Sequence, residues 1–68
     1  MNFKKLGQRI KERREFLGLS QEEVATTAGL SIKTVWRIEN GLKDPKFSSL
    51  HSIAIALDTT LETLCQGL

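Results

Sequence analysis

The chain has 68 residues, with ten Lys or Arg against eight Asp or Glu, one cysteine and a formal charge of +2. That length is expected to make one domain over residues 1–68, with no room for a second that senses a ligand or carries out catalysis. A lone Cys65 forms no internal disulfide, and no apolar run precedes a cleavage site or is long enough to span a membrane, so a reducing cytoplasm is the expected setting.

Phe3, Leu6, Ile10 and Leu17 recur at helical spacing and predict a first helix that stops near Gly18. Ser20 with Glu23 three residues later is a capping box, so a second helix begins at Gln21. Val24, Ala25 and Ala28 give it a narrow inner stripe of small residues that admits a close neighbour. Gly29 ends it, because glycine enters the left-handed stop without a Cβ penalty, and Leu30 tucks under the turn.

Ser31 is the expected cap of a third helix and Gly41 its stop. The chain from Ser20 to Gly41 therefore spells two short helices joined by a glycine turn, a helix-turn-helix. At about 100° per residue, Val35 and Ile38 share one face of the third helix. Ile32, Lys33, Trp36, Arg37 and Asn40 spread over the other. A plain solvated face would be polar throughout; this one mixes cations and an amide with a large aromatic and a branched aliphatic. Cations suit phosphates or guanine O6 and N7, and apolar atoms suit thymine methyl groups. The same mixture suits a protein interface, where Trp and Arg are common anchors.

After Gly41, Leu-Lys-Asp-Pro-Lys reads as a loop, since Pro45 lacks a donor and restricts Asp44. A fourth helix starts between Lys46 and Ser48 and turns Leu50, Ile53, Ala54 and Leu57 inward. A fifth follows Thr60 as cap, with Leu61 and Leu64 inside. Between them lies Asp58, a residue type that tolerates a left-handed turn better than most.

Leu19 to Ala25, Ala28-Gly29-Leu30-Ser31, Val35, Arg37-Ile38-Glu39-Asn40-Gly41, Pro45, Leu50, Ala54, Leu57 and Leu61-Glu62-Thr63-Leu64 resemble the Cro/CI-type phage repressor helix-turn-helix family, often called Xre-like. The resemblance covers nearly the whole chain, from about Leu6 to Leu64. It implies an all-α, compact five-helix lambda-repressor-like DNA-binding domain with the helix-turn-helix at its second and third helices. It also implies Gln21 on the DNA backbone and Lys33 and Arg37 on base edges or phosphates. Ile32 and Trp36 replace the short polar residues common there. Ile32 would meet a thymine methyl, and Trp36 either packs along sugars or methyl groups or lies half buried against the loop around Leu42. Asn40, Lys43, Lys46 and the amide of Phe47 match the loop that holds the phosphate chain. Ser31 and Thr34 are candidates as well, with capping the better reading of Ser31. Arg14 and Glu39 match a partly buried ion pair between the first and third helices.

Charge is unevenly placed. Lys4, Lys5, Arg9, Lys11, Arg13 and Arg14 crowd the first helix, whereas no Lys or Arg follows Phe47. The basic first helix is expected to add general affinity for phosphates. The apolar C-terminal end, with Ile55, Leu61, Cys65 and Leu68, is expected to form a homodimer interface. His51 lacks a second ligand at metal spacing and reads as a surface histidine, and no nucleophile with an ordering base is present, so no metal, cofactor or enzyme activity is expected. The expected function is sequence-specific binding of double-stranded DNA, as a homodimeric repressor on a palindromic operator. The alternatives are an antitoxin-like adaptor that holds a protein partner such as a toxin and autoregulates its promoter, and a scaffold whose Trp36 face meets a polypeptide.

Overall fold

The computed structural model describes residues 1–42 and 44–68. Over them run α1 (Phe3–Phe16), α2 (Gln21–Ala28), α3 (Ile32–Glu39), α4 (Phe47–Ala56) and α5 (Leu61–Cys65), and no strand is present among the described residues. Most of the helices start on a side-chain cap. The Asn2 side chain accepts from the Lys5 amide at 3.0 Å, and Ser20 and Glu23 close a reciprocal capping box at 3.0 and 2.9 Å. Ser31 and Thr60 cap α3 and α5 by accepting from Thr34 and Thr63 amides, each at 3.1 Å. Only α4 begins without a side-chain cap, at Lys46.

Gly29 ends α2 at φ +70°, with the Leu30 amide reaching back to the Ala25 carbonyl at 2.9 Å, so an orphan carbonyl of the last turn is satisfied. Asp58 does the same after α4 at φ +53°, where the Thr59 amide donates to Ala54 O at 2.9 Å. The expected helix limits and these left-handed stops match the structure.

Leu6, Ile10, Val24, Val35, Ile53 and Leu57 are fully buried, so α1 to α4 all contribute to one centre, and Leu64 of α5 closes it from below. Each apolar side chain brought in this way contributes about 1.5–3 kcal/mol against leaving it in water. Helix α1 crosses α3 at Gly7. A Cβ there would overlap the carbonyl oxygen of Ile38 and lie 2.5 Å from that of Glu39, so the backbones meet with nothing between them.

The arginines of α1 are used inside the molecule. Arg9 donates to Leu64 O at 3.1 Å and to Gln66 O; Arg13 donates from Nε to Leu57 O at 2.9 Å and from Nη2 to Asp58 O at 3.0 Å. These cations sit on the carbonyl ends of α5 and α4, where the last turns leave acceptors unpaired and the helix dipole is negative. Arg14 pairs with Glu39 as expected, while the expectation that the basic first helix adds general affinity for phosphates is narrowed by the bonds of Arg9 and Arg13. Arg9, Arg13 and Arg14 clamp helices together, leaving Lys4, Lys5 and Lys11 as the exposed cations of α1.

Candidate nucleic-acid interface

The sequence of α3 divides it cleanly. Val35, Ile38 and Glu39 are buried, while Lys33, Arg37 and Asn40 are exposed. Ile32 and Trp36 stand 45% and 48% exposed on the same outer face, so two large apolar side chains lie in water beside two cations. Among the described residues no hydrogen bond or ion pair engages the charged ends of Lys33 or Arg37. The indole, the branched chain and both cations share one exposed face of α3.

Rigidity comes from the back of the same helix. The Arg14 guanidinium binds Glu39 in a fork, Nε to Oε2 at 2.7 Å and Nη2 to Oε1 at 3.0 Å, and its Nη1 donates to Leu19 O at 2.9 Å. The Glu39 side chain is 1% exposed and that of Arg14 11%. Those hydrogen bonds to Glu39 raise the already high pKa of Arg14, against the lowering effect of burial, so the cation is held charged. One pair thus joins α1, the α1–α2 turn and α3.

Gln21 belongs to this network. Its Nε2 donates to Glu39 Oε1 at 3.1 Å, so the amide expected on the DNA backbone is turned inward and half buried. The backbone amides at the start of α2 still point outward from the helix end. Asn40 likewise donates from Nδ2 to Trp36 O at 2.8 Å, capping α3. Ser31 caps, and its hydroxyl also meets the Thr34 hydroxyl at 2.8 Å, so both polar groups are engaged within the turn. In the following loop Lys46 is exposed and Pro45 buried; Lys43 lies outside the described residues. The Phe47 amide stands in the first turn of α4, which has no side-chain cap.

At the opposite end, the expected apolar surface divides. Ile55 is 63% exposed, but Leu61, Cys65 and Leu68 are half buried and pack on the chain's own core. So short a chain draws its last apolar residues inward to close its centre. Their place on the surface is taken by Phe47, 75% exposed, with its ring stacked on that of His51 at 6.4 Å between centroids. The spacing i, i+4, i+8 of Phe47, His51 and Ile55 is the sequence signal for this ridge, and sequence reasoning passed over it by reading each residue alone.

Two helices joined by a glycine turn, an amide-lined first helix end and an outward helix carrying Lys, Arg and Trp define a DNA-reading helix-turn-helix domain. The family model of the helix-turn-helix domain matches residues 5–66, and the chain belongs to that family. An uncharacterized HTH-type transcriptional regulator of Methanothermobacter thermautotrophicus is 42% identical over 48 residues, 71% of this chain and 70% of that one. The restriction-modification controller protein C.AhdI of Aeromonas hydrophila is similar in structure, with a TM-score of 0.89, 35% identity and coverage of 91% of this chain and 94% of that chain. A chain of the SinR protein/SinI protein complex is similar at a TM-score of 0.86 and 33% identity, over 91% of this chain and 61% of that chain. The protein is thus a DNA-binding helix-turn-helix transcriptional regulator of Xre-like, Cro/CI type, and not an enzyme. No helix among the described residues is long and apolar enough to cross a membrane.

Proposed function

We propose that the protein is a repressor that binds a palindromic operator as a homodimer, with α3 in the major groove. The outward face of α3 carries this reading, because Ile32, Lys33, Trp36 and Arg37 are together, exposed and anchored from behind by the buried Arg14–Glu39 pair. Lys33 and Arg37 read guanine or phosphate, Ile32 and Trp36 contact thymine methyl groups and sugars, and Asn40, Lys43, Lys46 and the start of α2 at Gln21 hold the backbone. Ser31 and Thr34 fix the first turn of α3. Occlusion of RNA polymerase is the simplest mode of action for a domain that only binds.

The size of the domain supports two copies on a palindromic site. The protein's longest extent is 27 Å, less than the roughly 34 Å between successive major-groove faces, so one copy reads one half-site. Likeness to a chain of the SinR protein/SinI protein complex supports a second reading, an adaptor that also holds a different protein. Selection of duplexes from a random pool, followed by binding across a salt series, tests the proposal. A twofold site bound about 10³-fold or more above scrambled DNA is expected. No enrichment, with weak binding set by salt alone, would remove the groove-reading role of Ile32 and Trp36.

A further inference from the structure

On the outer face of α3 an apolar side chain stands next to a cation twice, Ile32 beside Lys33 and Trp36 beside Arg37, and all four are exposed. We propose that the Trp36–Arg37 pair reads a C5-methylated pyrimidine followed by guanine, Arg37 holding the guanine and Trp36 covering the methyl group. The protein then recognises 5-methylcytosine before guanine as well as thymine before guanine. The inference rests on the placement of α3 in the major groove proposed above and names the bases read there.

The chemistry of the groove selects this step. Guanine presents two acceptors, O6 and N7, that match the fork of an arginine, and thymine presents a C5 methyl that matches apolar side chains. When the pyrimidine precedes the guanine on one strand, the methyl and the two acceptors lie side by side, so neighbouring side chains of one helix reach both. Cytosine methylated at C5 carries the same methyl in the same place. It differs from thymine in offering an amino donor where thymine has its O4 acceptor. The face of an indole ring makes no hydrogen bond with either group, so it takes the methyl from both sources.

The rest of α3 favours the methyl over bare cytosine. A carboxylate on the outer face would accept from the cytosine amino group, but Glu39, the only carboxylate of α3, is turned inward onto Arg14 with its side chain 1% exposed. Nearby hydrogen-bonding groups are engaged within the chain: Asn40 donates to the Trp36 carbonyl at 2.8 Å, and the Ser31 and Thr34 hydroxyls bond each other at 2.8 Å. Ile32 lies one turn before Trp36, about 6 Å along the axis and close to two base-pair steps of about 3.4 Å. It therefore meets a different base pair and leaves this methyl to Trp36. The fork of Arg14 on Glu39, two residues after Arg37, fixes this end of the helix from behind.

Two selections test this, one from a synthetic random pool, whose only C5 methyl is that of thymine, and one from the same pool enzymatically methylated at cytosine–guanine steps. Half-sites with thymine before guanine are expected from the first, joined by 5-methylcytosine before guanine in the second. On the selected duplex, replacing that thymine by uracil removes one methyl and should weaken binding about fourfold in each half-site, the worth of one buried methyl. Cytosine there should bind more weakly than thymine, and methylating it should restore about fourfold. Trp36→Ala, with its fold confirmed by circular dichroism, should bind methylated and unmethylated duplexes equally, and Arg37→Ala should lose the preference for the guanine. A selected half-site without a pyrimidine–guanine step, uracil bound as well as thymine, or a methyl dependence that survives in Trp36→Ala overturns the assignment. A thymine methyl that matters beside a cytosine methyl that does not overturns the shared readout. No enrichment from either pool overturns the placement of α3 in the groove, and this readout with it.

Discussion

Glu39 shows how a single buried charge is made tolerable and put to use. A carboxylate removed from water costs several kcal/mol unless every lone pair finds a donor, and here Arg14 and Gln21 supply three hydrogen bonds to it. Removing the cation strands the anion. Arg14→Ala should therefore destabilise the protein by about 3 kcal/mol, a large part of the about 3–10 kcal/mol expected for 68 residues, as a urea unfolding midpoint would register. Arg14→Lys should lose less, because the charge remains while the fork and the bond to Leu19 O are lost. At the interface, Arg37→Ala should cost about 1–3 kcal/mol on the selected operator and relax the preference at one base pair, measured by binding to single-substituted duplexes. Ser20, Ser31 and Thr60 were legible as caps because a cap acts within three residues. The inward turn of Gln21 was not, because its acceptor Glu39 is 18 residues away in sequence.

At the level of elements, the arginines of α1 decide how the helices are held. Arg13 reaches carbonyls 44 and 45 residues away at the end of α4, and Arg9 does the same for α5, so α1 acts as a cationic cap for two other helices. Each such bond from a charged donor contributes about 1.5 kcal/mol, and in so small a domain 1 kcal/mol moves the melting point by about 4–8 °C. Arg13→Ala should thus lower the melting temperature by several degrees, measured by circular dichroism. Gly7→Ala should be more damaging, at about 2 kcal/mol or more, because the added methyl meets the backbone of α3, which cannot swing aside as a side chain would. Helix existence, limits and inner faces were readable from periodicity and turn residues. Leu61 and Leu64 of α5 were read inward from the same periodicity, and they pack on the core, but how far each sinks was not legible because periodicity gives a face and not its depth.

For the whole molecule the important quantity is how its charge is divided. Net charge is only +2, yet Arg9, Arg13 and Arg14 are spent on carbonyls and on Glu39, whereas Lys33, Arg37 and Lys46 remain exposed around the recognition helix. The two groups should separate in a salt series. Lys33→Gln should lower the slope of log K against log salt by about one, while Arg9→Ala should leave that slope unchanged although it lowers stability.

The sequence by itself determined five helices, their caps and stops, the inner stripes, the helix-turn-helix and its family, since these depend on contacts within a few residues and on a pattern that repeats along one chain. Only the tertiary structure decided which cations face outward, that Gln21 joins the Arg14–Glu39 pair, and that the exposed ridge at the far end runs through Phe47, His51 and Ile55. Those outcomes depend on partners 18 to 57 residues apart, or on how deeply a face is buried, and neither is set until all the helices have closed on one core.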